Sequence, residues 1–440
     1  MLLIHTPEIT PRVNYCFHLI FRDILQISFQ LTTREDDFLK AKRPKFSYGS
    51  KAINDELFFR SADLLFQTGI IKQEVNSIRF NNMPALFPVE HDSVLPFDPF
   101  AACFYLVSRY EEYLPHEKDD HLRYESAQSI AFQQGFLHKP MVNIWAGFIR
   151  DTLLKRFPEI HFPVRRFRHI ATIDIDNAWA YKGKGFIRNT GGIFSDLFKR
   201  DFKNLKRRIK VIAGIQKDPY DTYDHQEKIF GQYRITPIYF FLIGDYARYD
   251  KNVPHHNKAF QNLIRSLADR AEIGIHPSYG SGNSASKLSS EISRLSKIIE
   301  RKIHLSRQHF LRLQIPETYR NLIRQGISDD YTMGYPDSIG FRAGICTSFY
   351  FFDLEREMET SLRVHPFCLM DGTLKDYMKL KPTETFSMID ELLAEVRNVS
   401  GDLISLWHNE SFAENDRWKG WRKVYEYLLE KTSQNERTAA

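Results

Sequence analysis

Two acidic residues stand two positions apart at the end of an apolar run, in the sequence ATIDIDNAW. If the run is a β-strand, Asp174 and Asp176 point to the same face, because side chains alternate along a strand. Two carboxylates on one face repel each other unless a cation or a proton lies between them. The spacing indicates an acid that binds a metal beside an acid that accepts a proton. The alternative is a strand end whose acids cap a nearby loop or helix.

Three histidines also follow short apolar runs. His276 precedes a Gly/Ser loop in EIGIHPSYGSG, His309 lies in LSRQHFLRL, and His408 ends the apolar part of LISLWHNESF. Neutral imidazole is a common zinc ligand, and a protonated histidine can donate a proton to a leaving group. A single histidine can equally be a hydrogen-bonded structural residue, so the prediction depends on whether the three meet.

Arg307 stands two positions before His309, so the two share a face of a strand. Its guanidinium could bind a carboxylate through two hydrogen bonds. A basic pair that points to the surface is the alternative. Polar residues recur at the ends of other apolar runs, and this recurrence favours one shared site. They are Asp329, Asp330, Arg342 and His365.

The elements that must position these residues are predicted from about residue 166 onward. Short apolar strands alternate there with amphipathic helices, which is typical of a parallel α/β architecture. The predicted strands are Arg168–Ile175, Thr236–Ile243, Glu272–His276, Leu305–Phe310, Gly326–Asp330, Phe341–Gly344, Arg363–Phe367 and Leu403–His408. The predicted helices are Asn257–Arg270, Ala285–Arg301, Pro316–Gln325, Thr385–Val399 and Asp416–Glu430. Seven or eight such units fit a (β/α) barrel, complete or incomplete, in which strand ends converge on one face.

The first 165 residues have a different pattern. Short strand-like runs alternate with proline-punctuated loops, and two helices are predicted, at Pro99–Tyr113 and Pro140–Phe157. A boundary is expected near Pro158–Arg168, where two prolines accompany a basic cluster. We therefore expect a smaller α+β accessory domain over residues 1–165 and the barrel over residues 166–440.

Composition excludes several classes of protein. The chain has 440 residues, 61 basic and 55 acidic side chains, and a formal net charge of +6, which does not argue for nucleic acid. The basic run from Lys199 to Lys210 is interpreted as a solvated helix face, with a nucleic-acid patch as the alternative. Four cysteines outside any CxxC pair exclude a disulfide framework. The sequence has no apolar run long enough to span a membrane and no signal-peptide pattern, which predicts a cytoplasmic protein.

The motifs together resemble the polysaccharide deacetylase (NodB-homology) family, from about residue 166 to the C-terminus. The resemblance is carried by ATIDIDNAWAYKGKG, GIHPSYGSG, SRQHFLRLQIPETY, GISDDYTMGYPDSIGFRAG and LWHNE. The runs FYLVSRYEEYLP and GFLHKPMVNIW look like a bacterial subgroup of that family that has an extra N-terminal domain.

This resemblance implies a distorted (β/α) barrel that uses a divalent metal, usually zinc, to remove acetyl groups from N-acetylated sugars. By position, Asp174 matches the catalytic base and Asp176 a metal ligand. His276 matches the first metal histidine, Arg307 the arginine that orients the base, and His408 the general acid.

One position departs from the family pattern. The second motif usually has two histidines four residues apart, and here Gly280 stands where the second is expected. The third metal ligand is therefore predicted to be His309, with His365 in reserve. Asp330 is predicted to support His408, with Asp329 and Asp371 as alternatives.

Trp179, Tyr181 and Arg342 are candidate substrate-binding residues. Trp179 and Tyr181 begin the run WAYKGKGFIRNTGGI, which suits a flexible rim whose aromatic rings stack on a sugar. An ordinary surface loop is the alternative. Because of Gly280, two other functions stay open. They are a catalytically silent barrel that binds a glycan or a protein, and a metal hydrolase of another amide or ester.

Overall fold

The first 165 residues form a small parallel sheet, a two-stranded hairpin and six α-helices. A computed structural model describes residues 1–90, 92–415 and 417–433. The strands are β1 Leu2–His5, β2 Phe29–Thr32, β3 Lys45–Gly49, β4 Leu57–Arg60, β5 Ser77–Phe80 and β6 Met83–Leu86. The helices are α1 Pro11–Phe17, α2 Glu35–Lys40, α3 Pro99–Val107, α4 Tyr110–Tyr113, α5 Ile130–Gln133 and α6 Met141–Arg156.

The remaining residues alternate strands with helices, as the sequence predicts. The strands are β7 Arg168–Ile175, β8 Ile238–Leu242, β9 Glu272–His276, β10 Leu305–Ser306, β11 Asp329–Asp330, β12 Phe349–Asp353, β13 Met358–Val364, β14 Leu369–Met370 and β15 Asp402–His408. The helices are α7 Gly185–Phe198, α8 Phe202–Ile212, α9 Tyr223–Tyr233, α10 Lys258–Ala268, α11 Ala285–Ile299, α12 Glu317–Arg324, α13 Thr385–Asn398 and α14 Trp421–Ser433.

The α/β fold class is confirmed, but the barrel is not closed. Strands β7 to β15 form one sheet in the order β12-β13-β11-β10-β9-β8-β7-β15-β14, and β12 and β14 do not pair among the described residues. All neighbours are parallel except β12 and β13. The predicted strand Phe341–Gly344 is a loop, because its backbone bonds elsewhere: Phe341 N donates to Leu137 O and Gly344 O accepts from Val142 N.

The central strands bring their carboxyl ends to one edge of the sheet. In β7, the residues from Ala171 to Ile175 are all buried, as expected for a parallel strand covered on both faces. The register pairs Asp174 of β7 with His408 of β15, and Leu242 of β8 with His276 of β9. The polar residues that end these strands therefore meet at one place.

Strand and helix boundaries agree best where the apolar pattern is long. Strands β7 and β9 have the predicted bounds, whereas β10 and β11 keep only two residues each. Asp416, the predicted start of the last helix, lies outside the described residues. The run after Trp179 was expected to be a loop, but most of it belongs to α7.

The first 165 residues pack against the antiparallel edge of the large sheet. Helix α1 contacts β13, and the Tyr15 hydroxyl donates to the Tyr350 carbonyl over 2.7 Å. The buried Arg12 guanidinium forms an ion pair with Glu357. One continuous hydrophobic core includes residues from both parts of the chain.

Among the described helices, none has both the length and the apolar character needed to cross a bilayer.

Candidate active site

Asp174 is held by Arg307 at the carboxyl end of β7. The Asp174 side chain is buried, and Arg307 Nη1 donates to its Oδ1 over 3.0 Å. The same guanidinium donates to Thr172 Oγ1 and to the Tyr331 carbonyl. These hydrogen bonds hold the guanidinium in place and, through it, fix the orientation of the Asp174 carboxylate.

His276 presents one ring nitrogen to both acids. Its Nδ1 lies 2.6 Å from the Arg307 carbonyl oxygen. A carbonyl only accepts, so Nδ1 carries the proton and Nε2 keeps its lone pair. Nε2 is 3.2 Å from Asp176 Oδ1 and 3.7 Å from Asp174 Oδ2. The ring is therefore oriented as a nitrogen ligand.

His309 reaches the same acid from the end of β10. Its Nδ1 is 3.0 Å from Asp250 Oδ1, and its Nε2 is 3.6 Å from Asp176 Oδ2. The next two residues, Phe310 and Leu311, have φ angles of 59° and 53°, which is uncommon outside glycine. This tight turn directs the His309 ring back toward the strand ends.

Asp176, His276 and His309 form a group that fits a divalent cation. One ligand atom from each residue lies within 4.8 Å of the others. Asp176 Oδ1 is buried and accepts no hydrogen bond, so a buried acceptor is left without a partner. Burial opposes its ionisation, but without a metal the protonated forms of His309 and His276 hold the pKa of Asp176 well below its usual value. Two imidazoles and a carboxylate are a donor set that suits zinc.

His408 is supported by Asp371. His408 Nδ1 lies 2.7 Å from Asp371 Oδ1, and the His408 backbone N–H donates to Oδ2 over 2.8 Å. Burial lowers the pKa of His408, but the Asp371 carboxylate outweighs it and holds that pKa well above the ordinary value. His408 Nε2 faces Asp176 at 3.9 Å.

Asp330, the acid that was expected beside His408, lies elsewhere. It accepts hydrogen bonds from Thr332 N and Thr332 Oγ1, and burial raises its pKa to about 6. The reserve ligand His365 is also apart from the metal group. It pairs with Asp329 at 2.7 Å and stacks on the Tyr331 ring. The geometry thus favours His309 over His365, and Asp371 over Asp330 and Asp329.

A cavity of about 220 Å³ opens over these strand ends. It is lined by five of the residues expected from the sequence, and by several that were not. The expected ones are Asp174, Asp176, His276, His309 and His408. The unexpected ones include Arg123, Asp376, Tyr377, Glu410, Arg417 and Trp418.

The candidate substrate-binding residues do not line this cavity. Trp179 is 7% exposed and packs against the Phe260 ring. The Tyr181 hydroxyl bonds to Asn204 in α8. Arg342 is buried and donates to both carboxylate oxygens of Glu112. Its guanidinium serves to join the two parts of the chain.

Arg123 comes to the cavity from the first 165 residues. It donates to the Phe310 carbonyl over 2.9 Å and to the Tyr377 hydroxyl over 3.0 Å, while Asp119 accepts from its Nε. No local pattern signals this role, because the partners lie about 190 and 250 positions away in sequence. The contact fixes the strained turn that follows His309.

The comparisons with known proteins give one family match and several similar solved structures. Residues 2–158 match a family of unknown function, DUF7033. A search of curated proteins found no match. Several solved structures are similar to about 60% of the chain. One is described as a polysaccharide deacetylase from Mycobacterium smegmatis, with 12% identity, a TM-score of 0.40, and coverage of 62% of this chain and 87% of that one.

Two other similar structures have lower scores. One is described as a polysaccharide deacetylase from Pseudomonas aeruginosa PAO1, with 10% identity and a TM-score of 0.38 over 61% of this chain and 85% of that one. Another is a CE4 family pseudoenzyme from Bacillus anthracis, with 10% identity and a TM-score of 0.30 over 61% of this chain and 62% of that one.

Proposed function

We propose that the protein is a metal-dependent hydrolase that removes acetyl groups from N-acetylated sugars. One observation carries the proposal. Asp176, His276 and His309 converge within 4.8 Å, beside an Arg307-bound Asp174 and an Asp371-bound His408. The motifs that resemble polysaccharide deacetylases contain these residues, except for the supporting Asp371.

Asp176, His276 and His309 would hold the cation, and their donor set suits Zn²⁺. A divalent cation supplies a Lewis acid for an amide carbonyl oxygen and for water. The unpartnered Asp176 Oδ1 and the lone pair on His276 Nε2 are the atoms that gain a partner when it binds. Three protein ligands leave an open position, which a catalytic metal requires.

Asp174 would accept the proton of the attacking water. It is buried, and Arg307 binds its Oδ1 and fixes its orientation, so its second oxygen is free for the transfer. Arg307 is a positioning residue, since its Nη1 donates to Asp174 and Thr172 and its Nε donates to the Tyr331 carbonyl.

His408 would donate a proton to the departing amine of the sugar. Asp371 accepts the hydrogen bond from Nδ1, which leaves the Nε2 proton directed toward the cavity. The amine leaves as a neutral group, and acetate is the second product. Two titratable groups with opposite protonation states on one cavity are the arrangement that acid–base hydrolysis requires.

The test is acetate release from a panel of N-acetylated sugars and oligosaccharides by metal-loaded protein. Asp174→Asn is expected to lose about 10²- to 10⁴-fold in kcat while it keeps its metal. Asp245→Asn, an exposed acid in the loop after β8, is the matched control. Retained activity in Asp174→Asn contradicts the mechanism, and a metal-loaded protein that is inert on the panel contradicts the substrate.

A catalytically silent protein that binds glycan or a partner is the second candidate, and Gly280 is the observation behind it. Elemental analysis separates the two. A silent scaffold carries no stoichiometric metal and keeps its ligand binding in His276→Ala, whereas the enzyme loses metal and activity together. Activity on other amides or esters, but not on acetylated sugars, would instead identify a metal hydrolase with a different substrate.

A further inference from the structure

The α7–α8 hairpin (residues 185–212) and the three residues after it expose an unusual amount of apolar surface. Of the twenty large hydrophobic side chains exposed in the described part of the chain, nine lie between residues 186 and 215. They are Phe186, Ile187, Phe194, Leu197, Phe198, Phe202, Ile209, Ile212 and Ile215. The most exposed are Phe198 at 91% and Phe186 and Ile187 at 85% each. A patch of this kind on a single polypeptide marks an interaction surface.

Helix α7 is amphipathic, but its apolar side faces away from the protein. At about 100° per residue, Phe186, Ile187, Phe194, Leu197 and Phe198 fall within one arc of about 120°. Gly192 and Asp196 lie on the opposite side, together with Arg188, and Asp196 is the one buried residue of the helix. A surface helix ordinarily turns its apolar arc toward the core. Here the polar arc faces the protein and the apolar arc faces outward.

Specific polar contacts hold the hairpin in this orientation. Asp196 accepts from Asn204 Nδ2 and from Arg208 Nε, both over 2.7 Å, so α7 and α8 are joined through a carboxylate. Arg188 donates to the carbonyls of Asn252 and Lys251 in the loop after β8. The outward apolar face is therefore built into the fold, since these bonds break if α7 rotates inward.

The second helix adds a basic face next to the apolar one. Residues 199–210 carry seven basic side chains and one acidic one, a net +6 that equals the formal charge of the whole chain. In α8, Phe202, Ile209 and Ile212 form one exposed arc, and Lys206 and Lys210 flank it. Apolar residues bordered by lysines are typical of helices that lie in a membrane interface.

We propose that the α7–α8 hairpin docks on the surface of an anionic phospholipid bilayer. The apolar arcs would enter the headgroup and acyl boundary, and the flanking lysines would contact lipid phosphates. The positive charge of the hairpin indicates which kind of partner would bind to this surface. A second copy of this chain would bring a second +6 segment against the first, and nucleic acid would leave the phenylalanines in water. An anionic bilayer offers an apolar layer to the phenylalanines and negative charges to the lysines.

The position of the hairpin determines where the cavity would lie when the hairpin is docked on a bilayer. The hairpin begins nine residues after Asp176, so it leaves the sheet at the same edge where the strand ends carry the site. Docking would bring the cavity close to the bilayer surface, where a sugar attached to a lipid or to a surface polymer is presented. The docking itself does not depend on metal or turnover.

The experiment is co-sedimentation of the full chain with vesicles of phosphatidylcholine alone, and of phosphatidylcholine with about 30% phosphatidylglycerol. We expect binding to the anionic vesicles, weakened by salt, and little binding to the neutral ones. Phe194→Ser/Phe198→Ser and Lys206→Glu/Lys210→Glu are each expected to reduce the binding more than about tenfold. Phe132→Ser and Lys51→Glu/Lys155→Glu, exposed residues elsewhere, are the matched controls.

Two results would overturn the proposal. One is that the wild-type chain binds neither kind of vesicle, or that both hairpin variants bind as the wild type does. The other is a dimer, seen by light scattering, that Phe194→Ser/Phe198→Ser dissociates, since the apolar arcs would then cover each other. Circular dichroism and thermal unfolding establish that each variant is folded. The assay contains no sugar, so its result is independent of acetate release.

Discussion

The His309 ring donates from Nδ1 to Asp250 Oδ1 over 3.0 Å and turns Nε2 toward Asp176. Asp250 also accepts from the Tyr279 backbone N–H, so the carboxylate is itself held in place. A histidine ligand whose second nitrogen is bound to a fixed carboxylate has one tautomer and one orientation. We therefore propose that His309 supplies, from a neighbouring strand end, the ligand that Gly280 cannot supply.

Asp250→Ala is expected to weaken zinc binding by about 10- to 100-fold, because His309 loses the partner that fixes its ring. Competition titration of the metal-free protein against a chelator measures the change. Asp245→Ala, in the same loop but exposed and paired with Arg294, should leave the affinity unaltered. Equal affinities for Asp250→Ala and the wild type would mean that His309 is not a ligand.

Asp371→Asn is expected to lower kcat by about 10²-fold or more, since His408 loses the carboxylate that holds it protonated and aligned. Metal content and KM should change little, because Asp371 does not contact the metal group. Asp329→Asn is the matched control. It breaks an Asp–His pair of the same length, 2.7 Å, formed with His365. Equal losses in both variants would contradict a specific role for Asp371.

Glu112 joins the two parts of the chain, and its ionisation should make the free energy of unfolding depend on pH. It is buried, and although burial opposes ionisation, Arg342 and Arg109 lower the pKa of Glu112 to about 2. The folded pKa is below the unfolded one, so this contribution is complete above about pH 4.5 and is lost as the pH falls toward 2. The free energy of unfolding should therefore drop by roughly 3 kcal/mol from this group alone.

Denaturant unfolding at a series of pH values between 6 and about 3 measures this dependence. Glu112→Gln is expected to destabilise the protein by about 3–5 kcal/mol near neutral pH, because two buried guanidinium groups lose their counter-charge. Its pH dependence should also be shallower. Glu125→Gln, an exposed acid, is the control. A pH dependence that is unaltered in Glu112→Gln would contradict the assignment.

Strands β7 and β9 were the most predictable part of the fold. Their apolar runs marked both their bounds and the residues at their ends, so Asp174, Asp176 and His276 followed directly from the pattern. Strands β10 and β11 were predicted too long. The predicted β10 continued past Ser306, where the backbone turns to place Arg307 and His309. The predicted β11 began too early, because Gly326 has a φ of 76° and Ile327 N donates back to Leu322 O at the end of α12.

Residues that reach their partners only through the tertiary structure could not be predicted from local sequence patterns. Asp250 lies in an irregular loop, 59 positions from His309. Arg342 lies within the run Phe341–Gly344, which resembles a strand, but the ends of that run bond to Leu137 and to the first turn of α6. Helix α7 was missed because three glycines, at 185, 191 and 192, are typical of a loop, and because its apolar arc faces away from the core.

Arg307 serves the site with two separate parts of the residue. Its side chain binds Asp174, and its backbone carbonyl accepts from His276 Nδ1. Arg307→Met should therefore lower kcat by about 10²-fold, as the base loses its positive neighbour, while zinc affinity stays near that of the wild type. Parallel measurement of acetate release and metal affinity tests this. A joint loss of both would show that the side chain also supports the metal group.

The His276 contact has an evolutionary consequence. Every amino acid at position 307 offers the same carbonyl, so the tautomer of the ligand is protected against substitution, whereas the alignment of the base depends on one side chain. Descendants of this chain could therefore lose turnover in a single step and retain the ion. Such a lineage would keep metal binding after it had lost catalysis. An inactive relative could therefore still bind its metal.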